Sequence, residues 1–136
     1  MESTLHRYSL LIREYHLDTF GHVNNATYLQ IFEEARWEAI TSRGFGLKHI
    51  QTSGRGPVIL ELNLRFLKEL RLRQQIEICT QVEKIEGKVS HLKQWIVNPA
   101  GETATEARFL VGLFDLNQRK LIEPDEQWLR ALGIES

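Results

Sequence analysis

The sequence holds a single cysteine, Cys79, among its 136 residues. An intrachain disulfide framework is therefore excluded. That usage is compatible with a reducing compartment, and a cytoplasmic location is expected. The three prolines and nine glycines are scattered, and no repeat, low-complexity tract or linker emerges. No apolar run approaches the roughly 18 residues of a membrane-crossing helix, so no membrane span is expected. The N-terminal stretch MESTLHRYSLLIREYHLD lacks an apolar core followed by a small-residue cleavage site, and no secretory leader is expected. Neither sign of charge is in excess. Lys and Arg number 17 against 18 Asp and Glu, a formal net charge of −1. No bulk attraction to nucleic acid or anionic membrane follows. An anionic ligand would need a local basic cluster. Several motifs are also missing. There is no G-x-S-x-G elbow, no P-loop and no G-x-G-x-x-G. The common serine-hydrolase, nucleotide and dinucleotide readings fall away with them.

What remains is an ordinary globular balance, 42% hydrophobic and 26% charged. The length suits one domain over residues 1–136. Tyr8, Leu10 and Ile12 alternate with Ser9 and Arg13, which predicts a first strand. A polar stretch from Asp18 to Asn25 leads into a predicted helix over about Ala26 to Ser42. Asn24 or Asn25 can cap its start, since a short side-chain oxygen accepts a first-turn N–H. Tyr28, Phe32, Ala35 and Ala39 make one apolar stripe, with Ile31 and Ile40 at its edges. Gly44 is a plausible stop. Gln51 to Pro57 reads as a loop, after which the period switches to two. Leu60, Leu62, Leu64 and Phe66 then share one predicted face. Ile76 to Val82, Val89 to Val97 and Thr103 to Asp115 are the following strands. Glu86-Gly87-Lys88 and Asn98-Pro99-Ala100-Gly101 are the turns between them. A short helix over Asp125 to Leu132 closes the chain. The layout is α+β, one long helix wrapped by a curved antiparallel sheet. Apolar residues on both faces of the last strand, Leu110 and Phe114 for example, suggest that a second subunit covers part of the outer face.

The segment between first strand and helix concentrates chemistry. Asp18 stands a few residues before the helix start, where unbonded N–H groups create a partial positive field. Such a field can hold a carbonyl oxygen as it gains negative charge. A nearby carboxylate can then attack the carbonyl carbon or deprotonate a water that does. A lone aspartate before a helix is, however, more often a turn or cap residue. His22 reads equally as a turn residue, a partner of Asp18 or a ligand contact. His16 and His22 lack the Cys, His and carboxylate companions of a metal site, so no metal is expected. Cys79 sits within a strand with no adjacent histidine, which argues against a nucleophile.

The run Asp18-x-x-Gly21-His22-Val23-Asn24-Asn25-x-x-Tyr28, followed by Phe32-Glu33-Glu34-Ala35-Arg36, closely resembles the signature of the hot-dog thioesterases. The branch is the 4-hydroxybenzoyl-CoA thioesterase-like one. The longer string from Tyr15 to Trp37 is similar to bacterial long-chain acyl-CoA thioesterases that serve fatty-acid β-oxidation. The resemblance implies a hot-dog fold of about five strands and hydrolysis of medium- to long-chain acyl-CoA, without a cofactor. It implies that Asp18 is the catalytic carboxylate. It places His22, Val23, Asn24, Asn25 and Tyr28 at the substrate. It implies a site at a homodimer interface, with dimers pairing into tetramers. Lys68, Arg71, Arg73 and Lys88 become candidates for the CoA phosphates, although a solvated charged face explains each equally well. Two departures stand out. Related sequences carry Arg-Pro and Gly-Asp near the places that read Lys68-Glu69 and Arg73-Gln74 here. Some relatives carry glutamine in place of His22, which makes it dispensable to the chemistry. A non-catalytic acyl-CoA-binding module and an acyl-carrier-protein thioesterase are the competing readings.

Overall fold

The computed structural model describes residues 3–134. Strand β1 (His6–Leu11) runs into a single 3-10 turn at Glu14–His16. Helix α1 (Asn25–Ser42) and helix α2 (Leu47–Ser53) follow. Then come β2 (Arg55–Phe66), β3 (Gln75–Glu86), β4 (Val89–Val97) and β5 (Thr103–Asp115). A short strand β6 (Lys120–Ile122) and helix α3 (Glu126–Ala131) end the chain. The sheet is antiparallel in the order β1-β3-β4-β5-β2, and β6 joins β5 where β4 has ended.

Helix α1 starts at Asn25 because Asn24 caps it, its Oδ1 accepting the Ala26 N–H at 2.9 Å. It ends where Gly44 takes a φ of 86°, a conformation that costs glycine little. The buried residues are those of the expected stripe: Tyr28, Ile31, Phe32, Ala35, Ala39 and Ile40. This stripe lies on the inner face of the sheet. The Phe32 and Phe109 rings meet edge to face at 6.1 Å. Gln94, fully buried on β4, donates to the Phe32 carbonyl at 3.0 Å and to Thr80 Oγ1 at 2.9 Å. The helix is thus tied to the sheet by apolar area and by a satisfied buried amide. Phe32→Ala should cost about 3–5 kcal/mol of unfolding free energy, measured by urea denaturation. A loss below about 1 kcal/mol would show that this ring does not anchor the helix.

Two sequence expectations change. The stretch Gln51 to Pro57 is no loop. Helix α2 occupies it to Ser53, Gly54 ends that helix at φ 73°, and β2 begins at Arg55. Pro57 is tolerated because β2 is an edge strand with one unpaired side. Second, Leu60 does not share a face with Leu62, Leu64 and Phe66. The register skips it, pairing Ile59 with Val111 and Glu61 with Leu110. This β-bulge inserts one residue and shifts the alternation. Leu62, Leu64 and Phe66 lie opposite Phe109, Ala107 and Thr105 and so face inward. On the outer face near Phe114 the chain covers itself in part. Leu121 of β6 pairs with Phe114, the Arg119 guanidinium lies 5.7 Å from that ring, and Leu110 and Phe114 stay half-buried.

Candidate active site

Asp18 sits in a loop closed by an antiparallel bridge between Leu17 and Val23. Val23 is buried and anchors the loop in the core. The Asp18 N–H donates to the His22 carbonyl at 2.8 Å, and the Gly21 N–H to the Asp18 carbonyl at 3.0 Å. Gly21 makes the reversal at φ 78°. The Asp18 carboxylate is fixed from one side only. Oδ1 accepts the Phe20 N–H at 2.9 Å and the His22 N–H at 3.1 Å. Oδ2 takes part in neither bond. One oxygen therefore sets the orientation while the other stays available.

The start of α1 follows directly. Asn24 takes the Ala26 N–H through its side chain. Its carbonyl takes the Thr27 N–H at 2.9 Å and the Tyr28 N–H at 3.3 Å. The Asn25 N–H belongs to none of these bonds. It remains a donor at the positive end of an 18-residue helix. A carboxylate oxygen and a helix-start donor thus stand seven residues apart, at either end of one short loop.

The connection between β2 and β3 forms the other wall. His22 Nε2 lies 3.5 Å from Glu69 Oε1. Its ring therefore faces that connection, and only its backbone bonds to Asp18. Tyr28 is buried and meets the Phe66 ring edge to face at 5.0 Å. Burial pushes its hydroxyl pKa up, opposed by a backbone hydrogen bond from Leu70. Glu69 and Leu70 were not singled out in the sequence. Their signal was the departure from the family pattern at Lys68-Glu69.

The basic candidates separate. Lys68 pairs with Glu102 at 2.6 Å. Arg73 bonds both Glu14 oxygens at 2.8 Å from a left-handed backbone, φ 65°, where glycine would be relaxed. Arg71 forms no ion pair among the described residues. It lines an open cleft of about 500 Å³ with Lys68, Glu69, Gln74 and Asn98. Lys88 is not brought to this end of its own chain. It follows β3, whose far end lies roughly 37 Å from Gln75 at about 3.4 Å per residue. Among the described residues no three His, Cys, Asp or Glu gather as a metal site. No helix among them is long and apolar enough to cross a membrane.

His16 is structural. Its Nδ1 accepts the Arg13 N–H at 2.8 Å and closes the 3-10 turn. Burial pushes its pKa below the ordinary 6.5. Above that value both folded and unfolded states are neutral. As pH falls through it, the unfolded chain takes up a proton that the folded one resists, and stability drops. The melting temperature should fall between pH 7 and pH 5, and His16→Gln should flatten that fall. An unchanged slope would remove His16 from the pH response. His6, also held low by burial, keeps part of the slope in either case.

A family model described as the thioesterase-like superfamily matches residues 12–132. The chain belongs to that superfamily. The long-chain acyl-CoA thioesterase FadM of Escherichia coli is 30% identical over 112 residues, 82% of this chain and 84% of that protein. The acyl-acyl carrier protein thioesterase ATL2 of Arabidopsis thaliana is 33% identical over 76% of this chain and 55% of that one. The crystal structure of YbaW, a probable thioesterase from Escherichia coli, superposes with a TM-score of 0.81 at 27% identity, covering 93% of this chain and 96% of that one. The hot-dog fold implied by the resemblance is present, and the chain is a thioester hydrolase by family.

Proposed function

We propose that this thioesterase hydrolyses medium- to long-chain acyl-CoA to the free acid and CoA, with Asp18 as the catalytic carboxylate. The observation that carries the reading is the split of the Asp18 carboxylate. Oδ1 is held by two amides and Oδ2 is not, and the loop leads directly to the Asn25 donor at the start of α1. The donor polarises the thioester carbonyl, and Oδ2 acts on its carbon or on the attacking water. A thioester suits this modest machinery, because resonance protects its carbonyl little and thiolate leaves readily. His22, Val23, Asn24, Asn25 and Tyr28 shape the pocket. Arg71 and, with its Glu102 pair broken, Lys68 meet the CoA phosphates.

The similarity to FadM supports the acyl-CoA substrate. A thiol-release assay over a series of acyl-CoA chain lengths tests it, and no turnover on any chain would overturn it. The similarity to ATL2 favours a carrier-protein substrate as the second reading. Rates on matched CoA and carrier thioesters separate the two. Saturable binding without turnover would instead indicate a binding module.

The working unit in this reading is a homodimer joined along β2, with dimers pairing further. This strand is 12 residues long and ends the sheet. Its inward residues Leu62 and Phe66 stay 43% and 51% exposed, although Tyr28 of α1 meets the Phe66 ring. A long apolar edge of this kind is a template for another chain.

A further inference from the structure

A second cavity, of about 110 Å³, lies between the later turns of α1, helix α3 and the inner face of the sheet. It shares no lining residue with the Asp18 loop. Arg36, on its wall, follows Asn25 by 11 residues, about 16 Å along the helix axis. The other walls are mainly apolar, with Ile40, Val82, Leu92 and Val111 among them.

Two donors on the cavity walls, from Arg36 and Trp128, are short of acceptors among the described residues. The Arg36 guanidinium is drawn inward, 4.4 Å above the Phe109 ring. Among the described residues its one hydrogen bond runs from Nη1 to the neutral Gln94 Oε1 at 3.0 Å. It forms no ion pair among the described residues, although a guanidinium offers five N–H groups. Burial lowers its pKa to about 10, opposed only in part by the Glu33 carboxylate. Glu33, the acid on the same wall, is exposed to solvent. The Trp128 ring is 2% exposed and also lines the cavity. Its Nε1–H is buried and finds no acceptor among the described residues. Unmet donors of this kind are costly in an apolar setting and are compensated by an oxygen acceptor.

We propose that this cavity binds a small organic carboxylate. Its carboxylate pairs with Arg36 and accepts from Trp128 Nε1, and its apolar body fills the space beside Val82 and Val111. An apolar cavity of about 150 Å³ holds a benzene molecule, so the body is at most about ring-sized. Free carboxylic acids are the product class of the reaction proposed above. That link to turnover rests on the proposed function, but the binding itself does not.

Titration calorimetry with benzoate and hexanoate, against benzamide and hexanamide as uncharged controls, tests the proposal. The carboxylates should bind wild type at least tenfold more tightly than the amides. Arg36→Gln should abolish that preference. Ile59→Trp, at an exposed rim position, should block entry without touching the core, and decides the matter if Arg36→Gln fails to fold. Asp18→Asn should bind carboxylates like wild type, whatever happens to its turnover. Equal affinity for acids and amides would overturn the site. So would no saturable binding, including the case in which a second copy seals the mouth. Loss of binding in Asp18→Asn would place the ligand at the thioester site and also overturn it.

Discussion

Asp18→Asn should lower kcat on acyl-CoA by about 10³-fold, within the span of roughly 10² to 10⁴ that a positioned carboxylate supplies. The substitution is chosen for what it preserves. An asparagine Oδ1 can still accept the Phe20 and His22 N–H groups that hold the loop. The bridge between Leu17 and Val23 and the cap at Asn24 lie outside the change. Only the charge and basicity of Oδ2 are lost. KM should move little, since binding of the chain and nucleotide does not draw on that oxygen. Steady-state thiol release gives both constants. Activity within tenfold of wild type would remove Asp18 from the chemistry. If the variant is inactive as expected, oxygen-18 from water under single turnover distinguishes direct attack from activation of water.

Leu62→Asp should turn a dimer into monomers, raising the dimer dissociation constant by about 100-fold or more. A carboxylate forced into an apolar seam costs roughly 3 kcal/mol or above, and each 1.4 kcal/mol is tenfold. Leu62 is 43% exposed in the single chain, so the monomer itself tolerates the charge. Turnover should fall with the dimer, because the proposed site is completed across the seam. Sedimentation velocity at micromolar concentration reads the assembly. A monomeric wild type, or a Leu62→Asp variant that remains dimeric and active, would refute the β2 seam.

Much of this fold is written in local periodicity. The stripe from Tyr28 to Ala39 identifies α1, because a helix needs several turns of apolar spacing to bury a face. The turns at Gly87 and Asn98 are equally readable, since their residues suit particular backbone angles. The bulge at Leu60 is not. The alternation of leucines runs straight through it, and only the pairing with β5 shows which residue is skipped. Helix α2 and strand β6 are seven and three residues long, too short for a pattern to rise above neighbouring residues. The Asp18 segment was recognisable as a family signature. The division of labour between Oδ1 and Oδ2 required coordinates. Arg36 was hidden for a different reason. It follows Ala35 on the helix and reads as a surface cation, yet it bends inward to reach Gln94 on β4. Long side chains can place their charge far from where the backbone points.

The strand order carries a consequence for synthesis. β1 pairs with β3, and β2 pairs with β5. Neither of the first two strands is a partner for the other. A nascent chain that has emerged only as far as Phe66 therefore holds α1 and two long-range strands with no ladder to join. The side of β2 that pairs with β5 stays bare until Asp115 has left the ribosome. The Asp18 loop lies wholly before β2, between β1 and α1, while the β2–β3 connection that His22 faces is made afterwards. The proposed active site is thus translated before most of the sheet and assembled only after it.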